Sequence, residues 1–188
     1  MHYHNTPYDA LKVGDTAELS RICTEDDFFV FATSSGNHNP MHLATLDGDG
    51  DGVNEAIAPS MFVGAMISAV LGNILPGPGT LYRSQRFDFV DRAQAGDELV
   101  ARVTVTEKCA EREVRMATQV VRKRDGRVIV DGEAVVIAPE TPLSFEEIDL
   151  PGLIVQRHRH FEALLARAEP LAAVPTAVVC PEEENSLG

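Results

Sequence analysis

The sequence predicts an α+β fold in which one curled antiparallel sheet is wrapped around a single apolar helix. Two patterns support this prediction: a near-apolar helical stretch that begins near Pro59–Ser60, and about four segments of alternating apolar and polar residues that follow it. Apolar residues lie almost all the way round the helical stretch, so other structure must cover it. One sheet curled around the helix is the most economical cover. A chain of 188 residues with 44% hydrophobic residues can bury one such core.

Two helices are predicted from the signals at their ends. Thr24 is a suitable N-cap, Asp27 gives a weak capping-box pattern, and the first helix should stop at Gly36. The second helix should start near Pro59–Ser60 and end at "PGPG", residues 76–79. Its apolar residues are Met61, Phe62, Val63, Met66, Ile67, Val70 and Leu71.

The predicted strands come almost entirely after the second helix. Alternating apolar residues or aromatic enrichment indicate strands at 16–23, 79–90, 99–106, 113–121 and 127–137. The Asp-Gly pair in "RDGR", residues 124–127, predicts a hairpin turn between the last two. In the last strand, one face should carry Val128, Val130, Ala134 and Val136. Residues 37–58, between the helices, are expected to form a long polar loop.

The character of the sequence changes after Pro139. Residues 1–138 are expected to form the folded domain, whereas 139–188 should form an extended, proline-punctuated segment, a short helix at 156–168 and a linker from Glu169 onward. The two histidines of "RHRH", residues 157–160, are two positions apart and would lie on different faces of that helix. They are therefore interpreted as surface charge and not as a metal site.

Charge and composition exclude several classes of function. A net charge of −13 argues against binding nucleic acid, which requires clustered Lys and Arg, although a few local arginines can still hold an anionic ligand. No signal peptide is predicted, because the N-terminus has no basic segment leading into an apolar stretch. No membrane span is predicted, because polar and helix-breaking residues interrupt the longest apolar run, 56–75. Three scattered cysteines suit a reducing cytoplasm. No P-loop, Rossmann glycine motif or nucleophile elbow appears, and no cofactor is expected.

The densest polar chemistry lies in "SSGNHNPMH", residues 34–42. Pro40 stiffens this loop, and the short spacing would allow Asn37 and His42 to converge on one small volume. A neutral imidazole can accept or donate a proton near neutral pH. Asn39 lies between Asn37 and His42 in the same loop and is a further candidate. The alternative is that these side chains cap the preceding helix and satisfy backbone groups of the loop.

Two further features are candidates for ligand binding. The free backbone N–H groups at the start of the second helix, around Ser60, could hold an oxyanion or a carbonyl oxygen, as could those of any buried helix. The acidic stretch 47–56 places Asp47, Asp49 and Asp51 at the first ligand positions of an EF-hand loop. Ala58 stands where that loop needs a bidentate Glu, so no bound metal is expected and a solvated acidic loop is favoured.

Beyond these patterns, the chain resembles a known family. "SSGNHNPMHL" (34–43) is similar to the S-G-D-x-N-P-x-H signature of the MaoC-like dehydratases and (R)-specific enoyl-CoA hydratases. The segments "APSMFVGAMISAVLGNILPGPGTLYRSQRFDF" (58–89) and "AGDEL" (95–99) resemble that family's central helix, next strand and following turn. The similarity covers roughly residues 8–138 and implies a hot-dog fold, a homodimer and an acyl-CoA substrate.

The resemblance also implies roles for individual residues. The family's catalytic Asp falls on Asn37 and its catalytic His on His42. The backbone N–H that holds the thioester oxygen falls on Ser60. The remaining residues implied to bind substrate are Asn39, Met61, Ser68 and Gln85.

This chain departs from the family pattern in ways that bear on activity. Besides the change of Asp to Asn37, the usual His-Gly before the helix methionine is Pro59–Ser60, and Arg92 replaces a usual strand-end Pro. Two functions are consistent with this: reversible hydration of a 2-enoyl-CoA to an (R)-3-hydroxyacyl-CoA, weakened by Asn37, or a non-catalytic module that binds acyl-CoA or organises an assembly. The tail, from residue 161, resembles the join to a phosphate acetyl/butyryltransferase domain in bifunctional enzymes, which implies a longer protein. The alternative is a freestanding protein with a degenerate tail.

Overall fold

A computed structural model describes residues 2–146, 161 and 164–168 of the chain. The chain divides into two units, Met1–Asp149 and Leu150–Gly188, and the fold described below is that of the first. In the second, residues 161 and 164–168 are helical, within the helix predicted at 156–168. The remainder of that prediction, the "RHRH" segment and the linker from Glu169 lie outside the described residues.

The first unit is built around a five-stranded antiparallel sheet. The predicted strands are confirmed with small shifts of their ends. Their bounds are β2 Thr16–Ile22, β3 Leu81–Phe89, β4 Glu98–Lys108, β5 Glu113–Arg122 and β6 Arg127–Ile137. The strand order in the sheet is β2-β4-β5-β6-β3, and all neighbours are antiparallel. The turn between β5 and β6 contains Gly126 at φ +69°, a conformation that the predicted Asp-Gly turn requires.

Helix α1, Glu25–Ser35, begins and ends where the sequence predicts. The Thr24 hydroxyl accepts a hydrogen bond from the Asp27 N–H at 3.1 Å, and the Asp27 carboxylate accepts one from the Thr24 N–H at 3.0 Å. Gly36 ends the helix in the left-handed conformation, at φ +74°. These signals fix the point at which the chain leaves α1 and enters the polar loop.

Helix α2, Ser60–Asn73, crosses the concave face of the sheet and supplies the centre of the core. Its buried side includes Val63, Ile67 and Val70, which pack with buried residues of β4, β5 and β6. Contrary to the prediction from the sequence, the helix is not covered all round. Met61 is 57% exposed, and Ala65 and Ser68 are also exposed, because the single sheet reaches only one side of the helix.

A β-bulge interrupts the predicted alternation of β6. Val120 and Val121 of β5 pair with Val130 and Val128 of β6, which leaves Ile129 as the extra residue. Ile129 is therefore buried beside Val130, whereas Val128 is only half-buried, contrary to the predicted single face. The bulge turns the chain at the point where the carbonyl of Ile129 accepts a hydrogen bond from the Val90 N–H at 2.9 Å.

A two-stranded ribbon joins the two ends of this unit. Strands β1, His2–His4, and β7, Ser144–Glu146, pair antiparallel, with the rings of Tyr3 and Phe145 stacked 5.2 Å apart. Three-residue strands carry too little periodicity to be predicted from the sequence. The ribbon spans the domain boundary predicted after residue 138, and the division at that residue stays a prediction.

Within the described residues, no helix is both long enough and apolar enough to cross a membrane.

Candidate active site

A cavity of about 310 Å³ opens at the N-terminal end of α2. It brings together three of the residues singled out from the sequence: Asn39, His42 and Ser60. Its other walls include Ile57 from the polar loop, Ile129 from the bulge, and Asp91 and Arg92 from the segment after β3. The cavity thus combines a histidine, a helix N-terminus and apolar walls.

His42 ends a short 3₁₀ helix, Pro40–His42, within the predicted loop. Pro40 fits the first position of this turn, and the Asn39 side chain caps it by accepting the Met41 N–H at 3.1 Å. Nδ1 of His42 lies 2.8 Å from the carbonyl oxygen of Ile57. Because a carbonyl oxygen can only accept, Nδ1 must carry the proton. Nε2 of a neutral ring is then the nitrogen with a free lone pair, as a general base requires.

The carbonyl that orients His42 is itself held in place by the next segment of the chain. Ile57 forms an isolated bridge with Gln94. On either side, the Ala58 N–H donates to the carbonyl of Ala93 and the Ala95 N–H to that of Ala56, both at 2.8 Å. This short ladder couples the approach to α2 with the segment after β3, and so fixes the imidazole relative to the helix end.

The start of α2 has no side-chain cap. Pro59 occupies the N-cap position and makes no side-chain hydrogen bond to the helix, which leaves the first N–H groups, from Ser60 onward, for another acceptor. The helix dipole adds partial positive charge at this end. Ser60 lines the cavity, so its N–H can stabilise negative charge on an oxygen bound there.

Asn37 does not line this cavity. It is exposed two residues after the end of α1, where its Oδ1 accepts the Asn39 N–H at 3.3 Å and its own N–H donates to Ser35 Oγ at 3.2 Å. These are the local contacts of the alternative, structural interpretation of the loop. The structure therefore brings Asn39, but not Asn37, to the same cavity as His42, and the catalytic role of Asn37 stays a prediction.

The other residues implied to bind substrate meet in a second cavity of about 310 Å³, whose surface is mainly apolar. Met61 and Ser68 of α2 and Gln85 of β3 line it, together with Tyr82 and Phe87. Burial raises the pKa of Tyr82 to about 12, and a hydrogen bond with Ser68 opposes part of that rise. The phenol therefore stays neutral and can act as a donor at any physiological pH.

Gln85 is fixed by its amide nitrogen. The two hydrogens of Nε2 are shared among three acceptors at 2.9–3.1 Å: the carbonyls of Arg86 and Glu133, and Thr118 Oγ1. Its Oε1 is buried and has no hydrogen-bond partner among the described residues. An unpaired buried acceptor costs free energy unless a ligand or water donates to it. Gln85 thus retains one buried, unpaired acceptor at the wall of this cavity.

Several wall residues were not predicted from the sequence. Asp91 lies in a cluster of charged residues around Arg122, whose side chain is only 8% exposed. Arg122 donates to the carbonyl of Arg92 at 2.9 Å and pairs with Asp91, Asp97 and Asp125. Arg122 lies 30 residues from Arg92 in the sequence, so no local pattern could single it out. Asp97 was noted only as part of the "AGDEL" turn, without a role in this cluster.

The acidic loop contains a compact group of carboxylates. Ligand atoms of Asp47, Asp49, Asp51 and Glu55 all lie within 4.8 Å of one another. All four carboxylates already accept backbone N–H groups. Asp47 accepts those of Gly50 and Gly52 at 2.6 and 2.8 Å, Asp49 that of Asp51 at 3.2 Å, Asp51 that of Val53 at 2.8 Å, and Glu55 that of Gly48. The backbone N–H groups lower the pKa of Asp47. The expected absence of a bound metal stays a prediction.

Comparisons with known proteins agree on the family. The MaoC-like domain family matches residues 10–127. The (R)-specific enoyl-CoA hydratase of Rhodospirillum rubrum is 33% identical over 139 residues, which cover 74% of this chain and 93% of that protein. Among solved structures, R-hydratase PhaJ1 from Pseudomonas aeruginosa is 41% identical with a TM-score of 0.75, over 80% of this chain and 97% of that one.

A second solved structure supports the same fold. The (R)-hydratase of Aeromonas caviae is 32% identical with a TM-score of 0.62, and the match covers 69% of this chain and 98% of that one. The antiparallel sheet curled around α2 is thus the hot-dog fold that the resemblance implied. The chain belongs to the MaoC-like family.

Proposed function

We propose that this protein hydrates a 2-enoyl-CoA reversibly to an (R)-3-hydroxyacyl-CoA. One observation carries the proposal: the Ile57 carbonyl fixes the proton of His42 on Nδ1, and so leaves Nε2 as a base in the cavity that also contains the N-terminus of α2. A base and an oxyanion donor at one cavity are the two groups that this reaction needs. The two (R)-hydratases with solved structures give the reaction its class.

In the proposed reaction, Nε2 of His42 takes a proton from a water molecule while the water oxygen bonds to C3 of the substrate. The electrons of the C2–C3 double bond move towards the thioester carbonyl, whose oxygen gains negative charge. The Ser60 N–H donates to that oxygen. Return of the proton from His42 to C2 restores the carbonyl and completes the addition, with atoms and charge conserved.

In the proposal, the hydration rate is low because Asn37 stands where a second proton acceptor would act. Its amide can hold the water by a hydrogen bond but cannot take a proton, and a positioned general base contributes about 10²–10⁴ in rate. The 3.3 Å contact that holds Asn37 Oδ1 to the Asn39 N–H is long for an N–H···O bond. Turning the side chain towards a bound substrate therefore costs little.

The second cavity is proposed to receive the acyl group. Its surface is mainly apolar, with Met61 at one wall and the hydroxyls of Ser68 and Tyr82 at another. Apolar walls with few polar groups suit an acyl chain. Asn39 is proposed to keep the His42 turn in place through its cap of the 3₁₀ helix.

The proposal includes a homodimer that works in the cytoplasm without a bound cofactor. Strand β3 is an edge of the sheet, and its exposed residues include Leu81, Tyr82 and Phe89. An apolar strand edge of this length favours pairing with a second copy. Cys23 and Cys109 are free thiols, in keeping with a reducing compartment.

A second candidate function is a non-catalytic module that binds acyl-CoA or organises an attached phosphate acyltransferase. The exposed position of Asn37, with its side chain used by the loop backbone, favours this candidate. Such a module would bind the same acyl-CoA ligand as the hydratase, but it would not transfer a proton to or from that ligand.

Two measurements on the unmodified protein separate the candidates. Loss of the enoyl absorbance of crotonyl-CoA measures hydration, and chiral analysis of the product gives its configuration. Calorimetry with butyryl-CoA, which has no double bond to hydrate, measures binding alone. Hydration to the (R)-product supports the enzyme. Binding of butyryl-CoA without any hydration supports the module, and the (S)-product contradicts the proposed site.

A further inference from the structure

Arg92 places a cation at the candidate active-site cavity. It lines the cavity together with His42 and Ser60, and its side chain is exposed. In the part of the chain that the structure describes, its guanidinium makes neither an ion pair nor a hydrogen bond. Every other arginine in residues 2–146 makes an ion pair with a carboxylate.

The neighbouring carboxylates are already neutralised by other arginines. Asp91 pairs with Arg122 and Arg127 at 3.3 and 3.2 Å. Asp97 pairs with Arg124 at 3.2 Å, and Asp125 with Arg122 at 2.8 Å. Three aspartates thus face three arginines, and the charge of Arg92 is additional to this balance. Arg92 therefore adds one positive charge beside a cluster whose own charges are paired.

The backbone of Arg92 is held on both sides, although its side chain is free. Its N–H donates to Asp91 Oδ1 at 2.8 Å, and its carbonyl accepts from the buried Arg122 at 2.9 Å. Ala93, the next residue, accepts the Ala58 N–H, so Arg92 lies close to the start of α2. The backbone of Arg92 is thus fixed at the wall of the cavity that also contains His42.

We infer that Arg92 binds a phosphate group of the carrier to which the acyl thioester is attached. This inference rests on the proposed function, because the thioester must occupy the cavity of His42. A guanidinium matches the geometry of a phosphate and forms charge-assisted hydrogen bonds with it. Coenzyme A and the phosphopantetheine arm of a carrier protein share this chemistry. Both present a phosphate on the pantetheine arm, and coenzyme A adds the remainder of its nucleotide.

The test compares three unreactive ligands that differ in the phosphate-bearing part of the carrier. Calorimetry measures binding of butyryl-CoA, butyryl-4′-phosphopantetheine and butyryl-pantetheine to the wild-type chain, Arg92→Gln and Arg102→Gln. Arg102 is an exposed arginine of β4 that pairs with Glu18 and lines neither cavity, so it controls for the loss of one positive charge. The melting temperature of Arg92→Gln should match the wild type, since the Arg92 side chain has no polar contact to lose.

We expect Arg92→Gln to weaken butyryl-CoA binding about tenfold and to leave butyryl-pantetheine binding unchanged, whereas Arg102→Gln should bind all three ligands like the wild type. An equal loss with butyryl-4′-phosphopantetheine assigns the contact to the phosphate nearest the pantetheine, and a loss with butyryl-CoA alone assigns it to the nucleotide. Equal weakening of all three ligands, or of none, overturns the inference. An Arg92-dependent affinity without hydration of crotonyl-CoA contradicts only the proposed reaction.

Discussion

At the scale of single residues, the site depends on how neighbouring groups fix each side chain. His42 could be predicted from the sequence because its loop carries a recognisable spacing of Asn, Pro and His. The tautomer could not, because it depends on the carbonyl of Ile57, fifteen residues away. The position of Asn37 outside the cavity was equally hidden, since spacing does not reveal which way a loop side chain turns.

Asp125 gives a prediction at this scale. Its hydrogen bond with Arg122 holds the pKa of the carboxyl at about 2, below its ordinary value of 3.8. A carboxyl with a lowered folded-state pKa stabilises the fold above its unfolded-state value, and this contribution is lost as the pH falls from about 4 to 2. We therefore expect Asp125→Asn to reduce the loss of stability over that range, measured as the urea midpoint at several pH values.

The matched control is Asp88→Asn, which removes an exposed carboxylate of β3 that lies outside the Arg122 cluster. It should leave the acid dependence close to that of the wild type. An equal acid dependence in Asp125→Asn and the wild type would contradict the account of this cluster.

At the scale of elements, helices and strands followed closely from the sequence, and their irregularities did not. Caps and periodicity placed α1, α2 and the five main strands within a few residues. The bulge at Ile129 was missed because the valines on either side of it concealed the break in alternation. The open side of α2 was missed because an apolar helix looks the same whether its last face meets a sheet or another chain.

The close approach of β3 and β6 at Gly132 gives a prediction at this scale. A Cβ at this position would lie 2.1 Å from the carbonyl oxygen of Arg86 in the neighbouring strand. The strand must therefore move to accept Ala, and overpacking of this kind typically costs about 1–3 kcal/mol. We expect Gly132→Ala to lower the free energy of unfolding by about that amount, measured by urea denaturation.

Gly72→Ala provides the control for Gly132→Ala. Gly72 lies in α2, where a Cβ would meet no neighbouring atom within 4 Å, and Ala is the better helix former by about 1 kcal/mol. This variant should be as stable as the wild type or more so. A loss of stability at Gly72 equal to that at Gly132 would mean that the strand contact is not the cause.

At the scale of the whole molecule, the fold class was accessible from the sequence and the assembly was not. One apolar helix followed by alternating strands has few economical arrangements, and the family resemblance selected one of them. The β1–β7 ribbon was not predicted, since it pairs residues at opposite ends of the first unit. Oligomeric state has no comparable signal in a single chain, because the same exposed apolar residues suit several kinds of contact.

The prediction at this scale is that the protein forms a homodimer. The long edge strand β3 carries exposed Leu81 and Tyr82 beside the uncovered side of α2, so a second copy should pair with it edge to edge. Sedimentation velocity should give a dimer at micromolar concentration. Tyr82→Lys, which places a charge in the edge strand, should shift the equilibrium from dimer towards monomer. A wild-type monomer at micromolar concentration contradicts the prediction.

The central claim, that His42 and the residue at position 37 share one water, is tested most directly by the rate of crotonyl-CoA hydration. Asp and Asn are nearly isosteric, so Asn37→Asp keeps the water in position and restores a proton acceptor. We predict that kcat/KM rises by roughly one to four powers of ten in this variant. His42→Ala in the same chain should abolish the gain, because the two groups act as a unit. A gain that survives the loss of His42, or butyryl-CoA binding with no gain from Asn37→Asp, would contradict the account.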